Sequence, residues 1–199
     1  HTQICMGASI PFFEGVGKMQ ADKPVVAVIG DSTFIHTGIN GLMSAAYNGA
    51  QGVIVIMDNS ITAMTGGQQN PATGVTLQGK VTKKLSLERL CSAAGADYVD
   101  VVDPYEVEKF QSLLQERLQQ KALSVIIARH PCKMIDRSRG PAVVIDSRQC
   151  RRCRQCLLLD CPAIIAGSDG AVSISETLCV GCGLCLKVCK FNAIVPRGE

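Results

Sequence analysis

Residues 24–34 read Pro24-Val25-Val26-Ala27-Val28-Ile29-Gly30-Asp31-Ser32-Thr33-Phe34. Five apolar, mostly β-branched residues run into Gly30-Asp31. This is the pattern of a strand buried on both faces whose carboxyl end opens into a polar loop. Val53-Ile54-Val55-Ile56-Met57 followed by Asp58-Asn59 repeats it. Between the two, residues 39–50 predict a helix rich in small residues. Downstream, the pattern predicts a helix over 85–94, with Ser86 as N-cap and Gly95 as its stop. A strand over 98–102 follows. A helix is then expected from Asp103-Pro104 to about Gln120, with Pro104 at its first position, and a last strand over 123–128. Strands alternating with helices predict an α/β fold, a doubly wound parallel sheet with helices on both faces. Ligands of such sheets bind beyond the carboxyl ends of the strands. The intervening stretch 60–80 holds Gly66-Gly67, Pro71 and Gly74. Polar connections of this length in compact domains usually serve function.

Composition narrows the classes. The chain has 199 residues and is 47% hydrophobic, too apolar for a disordered tail. No run approaches the ~18 apolar residues of a membrane span. The net charge of +3 is too small to imply nucleic-acid binding. Basic residues are nevertheless concentrated between Lys133 and Arg154, where seven Lys or Arg meet two Asp. That run reads either as a solvated linker or as a docking surface for an acidic partner. His1-Thr2-Gln3 shows no targeting pattern, and the opening reads like a fragment of a longer protein.

The cysteines divide the chain. Eight of eleven lie between Cys150 and Cys189. Cys150, Cys153, Cys156 and Cys161 recur as Cys179, Cys182, Cys185 and Cys189, and Val143 and Ile145 align with Val172 and Ile174. The tail is therefore an internal repeat of strand, cysteine loop and short helix. Three thiolates in a tight loop face one side of a cubane cluster, and the fourth, beyond a short helix, reaches the other cluster. This predicts one [4Fe–4S] cluster on Cys150, Cys153, Cys156 and Cys189, and a second on Cys179, Cys182, Cys185 and Cys161. Gly181 and Gly183 are expected to let backbone N–H groups approach the sulfurs. A pair of zinc sites is the alternative; zinc rarely uses the third cysteine of such a run. Tight C-x-x-C spacing favours metal ligands over disulfides, and so a reducing cytoplasm. Cys91 reads as a core residue, and Cys5 and Cys132 receive no role.

Asp31 and Asn59 close the first two strands, one crossover apart. Their oxygens suit a hard octahedral cation that keeps phosphate ligands, meaning Mg²⁺. Gly30 allows close backbone approach, and the N–H groups after it can hold a diphosphate. The plainer reading makes Asp and Asn ordinary turn residues. No strand is followed by GxGxxG, so a dinucleotide loop is unsupported.

These residues resemble known families. The cysteine repeat is similar to bacterial two-cluster ferredoxins over roughly residues 140–199. Its first copy has one extra residue before Cys161, and Lys190 rather than proline follows Cys189. Gly30-Asp31-Ser32 with Asp58-Asn59 resembles the thiamine diphosphate motif, departing from it at Ser32 and Asp58. Together they resemble the 2-oxoacid:ferredoxin oxidoreductases. GDSTFIHTGINGL and DNSITAMTGGQQNP look like the C-terminal part of the large (α) subunit of indolepyruvate ferredoxin oxidoreductases. The resemblance implies a thiamine diphosphate-binding α/β domain over 1–135, followed by a small α+β two-[4Fe–4S] ferredoxin-like domain over 136–199. It implies Mg²⁺ on the side chains of Asp31 and Asn59 and the carbonyl of Ile61. Gly30, Ser32 and Thr33 would contact the diphosphate, with Met64 and Thr65 in the loop beside the cofactor. His36 is a candidate for polarising the substrate carbonyl, or a wall residue. The implied reaction is oxidative decarboxylation of 2-oxoacids, indolepyruvate and other aryl pyruvates, to acyl-CoA, with electrons passed to external ferredoxin. Ferredoxins of the family are usually acidic, so Arg148, Arg151, Arg152 and Arg154 form a candidate docking patch. The activating glutamate would come from elsewhere in the α subunit or from a smaller companion subunit. A pyruvate or general 2-oxoacid oxidoreductase, and a pure electron-transfer module, are the alternatives. Neither nucleic acid nor membrane is expected as a partner.

Overall fold

A computed structural model describes residues 4–20, 23–133, 135–168 and 170–197. His1-Thr2-Gln3, read above for a targeting signal, lies outside them. The chain divides into two compact units, His1–Asp136 and Arg137–Glu199.

The first unit carries one parallel sheet in the order β1-β2-β4-β3. Its strands are β1 (Val26–Gly30), β2 (Gly52–Asp58), β3 (Tyr98–Val102) and β4 (Leu123–Arg129). Central β2 and β4 are nearly all apolar because both of their faces are covered. On one face Ile54, Ile56, Val125 and Ile127 pack with Phe34, Leu42 and Leu87. On the other, Val53, Val55 and Ile126 pack against Phe110, Leu113 and Leu114. Helices therefore lie on both sides, as the alternating pattern requires. Edge strand β1 departs from the expected double burial: Val26 and Val28 are 42% and 50% exposed.

Three helices differ from the expectations. Helix α1 (Ser9–Met19) forms in a stretch the sequence pattern left unassigned. Gly15 and Gly17 weaken its local propensity, but Ile10 and Phe13 are buried and hold it to the sheet. The helix expected over 39–50 starts earlier. Asp31–Thr33 (α2) leads into a π-helical turn over Phe34–Gly38, and α3 (Ile39–Tyr47) continues it. π turns concentrate at functional sites. The helix placed at Pro104 instead starts later, as α5 (Val107–Gln119). The Asp103 carboxylate accepts the Tyr105 N–H at 2.8 Å, and this Asx turn occupies the expected first turn. Helix α4 (Leu87–Ala93) is capped as expected, with the Ser86 hydroxyl accepting the Arg89 N–H at 3.2 Å.

The second unit is built from two antiparallel pairs. β5 (Val143–Ile145) pairs with β8 (Ile194–Pro196), and β6 (Ile164–Ala166) with β7 (Val172–Ile174). The first copy's short helix is a 3₁₀ segment over Gln155–Leu159, and the second copy's is α6 (Leu184–Val188). Val143, Ile164, Val172, Cys185 and Ile194 form its core. Among the described residues, no helix is long and apolar enough to cross a membrane.

Candidate functional site

The parallel register sets the first cluster of groups. Gly30 pairs with Met57, so the next residues, Asp31 and Asp58, leave the sheet side by side. The neighbour of Asp31 is thus Asp58, with Asn59 one residue further on. Asp31 is 3% exposed. Its Oδ1 accepts the Ser32 N–H at 2.6 Å, while Oδ2 is buried without a partner. Burial, opposed by the Ser32 amide and reinforced by the Asp58 charge, pushes the Asp31 carboxyl up to about 6. A buried carboxylate oxygen that lacks a donor fits a cation ligand.

Asp58 is 4% exposed and is compensated from afar. Arg129, at the end of β4, places Nε 2.6 Å from Asp58 Oδ2 and one Nη 2.7 Å from Glu88 Oε1 on α4. The other Asp58 oxygen accepts the Ser60 N–H at 3.1 Å. The Arg129 guanidinium holds the Glu88 carboxyl down at about 2. Asn59 Oδ1 accepts the Ile61 N–H at 3.2 Å, and Ile61 is buried.

The loop after β2 folds back onto this corner. Thr62 donates its hydroxyl to Ser32 Oγ at 3.0 Å. Asn70 is 5% exposed and its side chain lies beside Asp31, holding that carboxyl down. Its Oδ1 accepts the Ala72 N–H at 2.9 Å. Thr62, Asn70, Glu88 and Arg129 were missed in the sequence. An Asn preceding Pro71 within a glycine-rich loop was the only local signal, and the charged pair joins residues 71 apart. Of the other expected residues, Gly30 caps the helical run in extended conformation, and Ser32 and Thr33 are half-buried beside Asp31. His36 sits exposed on the π turn. Met64 and Thr65 point to solvent, with Thr65 donating to Gln68 Oε1 at 2.6 Å.

In the second unit, Cys150, Cys153, Cys156 and Cys189 line one hollow, together with Ile145 and Phe191. Burial pushes the Cys156 thiol up, and Cys153, Cys150 and Cys189 add to this. Burial likewise pushes the Cys185 thiol up to about 11, and Cys182, Cys179 and Cys161 nearby add to this. Cys189, from the other copy, lines the hollow of the first three cysteines, and Cys161 lies near Cys185; among the described residues no three such side chains are close enough to hold a single metal ion. Four clustered thiols that lose their protons to metal suit an iron–sulfur cubane. Gly181 carries a different duty from the one expected. It has φ +68°, and a Cβ there would run into the Gly140 carbonyl, so its missing side chain makes room for backbone. Cys91 is fully buried, and burial pushes its thiol up to about 12. Cys5 is exposed, and Cys132 donates its N–H to the Asn59 carbonyl at 3.0 Å.

Two family models match separate stretches of the chain. Residues 1–128 match the family of thiamine pyrophosphate enzymes, C-terminal TPP binding domain, and residues 172–195 match the 4Fe-4S binding domain. The chain is 41% identical, over 97% of its length and 32% of the relative's, to an indolepyruvate oxidoreductase subunit IorA of Archaeoglobus fulgidus. It is 36% identical to the subunit of the same name from Thermococcus kodakarensis, covering all of this chain and 34% of the relative. The chain spans about a third of the length of these curated relatives. A solved 2-oxoglutarate:ferredoxin oxidoreductase from Magnetococcus marinus superposes with a TM-score of 0.57 at 18% identity, over 64% of this chain and 46% of that one. That likeness shows the fold.

Proposed function

The chain belongs to the thiamine pyrophosphate enzymes through its TPP binding domain, and from that premise we propose that it is the cofactor-binding end and electron outlet of a 2-oxoacid:ferredoxin oxidoreductase. One combination within a single chain carries the reading. The same chain holds a buried Asp31 with an open oxygen beyond β1 and a twofold-repeated cysteine loop, the first copy of which shares a hollow with Cys189. Asp31, Asn59 and the Ile61 carbonyl hold Mg²⁺. Gly30, Ser32 and Thr33 take the diphosphate, with Met64 and Thr65 in the loop beside it. Cys150, Cys153, Cys156 and Cys189 hold one [4Fe–4S] cluster; Cys179, Cys182, Cys185 and Cys161 hold the other. When bound, thiamine diphosphate supplies an electron sink for the carbanion left by decarboxylation, and the clusters supply one-electron carriers.

The chain's own residues position these groups. Arg129 neutralises Asp58, so that Asp31 remains the open anionic ligand. Thr62 and Asn70 dock the loop on Ser32 and Asp31. Indolepyruvate and related aryl pyruvates are the substrates, with coenzyme A taking the acyl group and ferredoxin the two electrons; the relatives' printed names support this choice. The chain works within a larger subunit, beside a smaller companion subunit, in a reducing cytoplasm.

The test is anaerobic reconstitution of the full-length subunit with its companion, followed by a 2-oxoacid panel with coenzyme A and a redox dye. Indolepyruvate and phenylpyruvate should outpace pyruvate and 2-oxoglutarate. A preparation loaded with iron and thiamine diphosphate that fails to reduce dye whichever 2-oxoacid is supplied overturns the reading. Preference for pyruvate overturns the substrate class alone.

A further inference from the structure

The two cysteine loops are copies of one motif, yet they are built unequally. Two positions between the cysteines turn left-handed in both copies. The second copy uses Gly181 and Gly183, at φ +68° and +76°. The first uses Arg152 and Arg154, at φ 52° and 59°. Glycine adopts this conformation freely, whereas an L side chain is strained there. Side chains kept at such positions point to a use for them.

Exposure differs in the same sense. Residues 151–155 are all exposed, Cys153 included, whereas 180–184 are all only partly exposed. The backbone at Gly140 lies against Gly181, so the segment before β5 covers the second loop and leaves the first open. Arg148, Arg151, Arg152 and Arg154 are exposed. Among the described residues, no carboxylate forms an ion pair with any of them. The nearby carboxylates along the chain are Asp146, which accepts the Arg148 N–H, and Asp160. Phe191, 44% exposed, lines the hollow of the first cysteine set beside Arg151, Arg152 and Arg154. An apolar spot rimmed by unpaired charge has the anatomy of a protein-docking surface.

We propose that the arginine loop over Cys150, Cys153 and Cys156 is the docking face for a small acidic electron-carrier protein. This rests on the reading of the chain as an electron outlet and says which of its two sets faces the partner. Charge complementarity selects the occupant, and the exposed Cys153 lets it approach the first set closely. No aromatic residue lies between Arg148 and Arg154 for bases to stack on, which disfavours single-stranded nucleic acid.

The test uses the reconstituted full-length complex with the double substitution R152G/R154G. Those are the residues of the sister loop, and they relieve the left-handed positions, so folding is not threatened. A small acidic two-cluster ferredoxin is the probe, with its KM taken from turnover and its Kd from calorimetry on the oxidised complex. Both should rise about tenfold at low salt, with a flatter salt dependence. Iron content and viologen-dye reduction should stay unchanged, and R152K/R154K should retain most of the affinity. A KM and Kd within about twofold of the parent overturn the proposal. So does a ferredoxin Kd that stays put while binding of a mixed-sequence RNA is lost. If the parent complex fails to reduce dye whichever 2-oxoacid is supplied, the proposed reaction fails, while the calorimetric Kd still decides the docking face.

Discussion

Arg129→Met isolates the charge balance beside the cation site. The substitution keeps most of the aliphatic stem and removes the guanidinium that bonds Asp58 at 2.6 Å and Glu88 at 2.7 Å. Asp58 is then a carboxylate only 4% exposed, beside the equally buried Asp31, with only the Ser60 N–H left as donor. Stripping one partner from a buried pair costs about 3–5 kcal/mol. Arg129 is one-third exposed, so water enters the gap and the lower figure applies. Releasing Glu88 adds under about 1 kcal/mol, since it is partly solvated. The expected loss is about 3 kcal/mol at neutral pH. Asp58→Asn in the same protein removes the orphaned charge, and the double variant should recover about 2 kcal/mol of that loss. Urea denaturation of the full-length protein and its single and double variants at pH 7 closes the cycle. A loss below about 1 kcal/mol for Arg129→Met refutes the reasoning. A double variant no more stable than Arg129→Met refutes it as well, because the orphaned Asp58 charge would then not be the cause.

Further measurements follow from single contacts. The Glu88 carboxyl is lowered from 4.5 to about 2, so its contribution is fully present above pH 4.5 and is lost as pH falls toward 2. Thermal melts of Glu88→Gln should sit below the parent at pH 6 by about 1 kcal/mol, allowing for screening, and should converge with it in strong acid. The Cys91 thiol is fully buried and pushed up to about 12, so iodoacetamide should label Cys5 in the native protein and reach Cys91 only with denaturant. Cys189→Ser should remove about half the iron and leave the second set loaded. Equal loss from both sets would contradict the crossed arrangement.

Much of this architecture is written locally. Parallel strands covered on both faces need near-continuous apolar runs, so residues 53–57 and 123–128 announce β2 and β4 without any knowledge of their partners. Ser86 announces α4, because an N-cap bonds only three residues ahead. The eight cysteines announce themselves through spacing, since three of each set sit within one short loop. Gly30-Asp31 and Asp58-Asn59 are legible for the same reason: each closes a strand.

What the sequence leaves open depends on residues far apart along the chain. Helix α1 contains two glycines and forms because Ile10 and Phe13 find the sheet. Asp103 captures the Tyr105 amide and moves the start of α5 past Pro104. The strand order β1-β2-β4-β3 brings Arg129 onto Asp58, and α4 brings Glu88 to the same guanidinium. The contact of Asn70 with Asp31 requires the loop to fold back. Likewise, nothing in the spacing of the two cysteine loops says that one lies under Gly140 while the other carries its arginines into solvent. Spacing and local conformation are properties of a few adjacent residues and can be read in order. Burial and charge pairing are properties of neighbours in space, and only the folded chain supplies those.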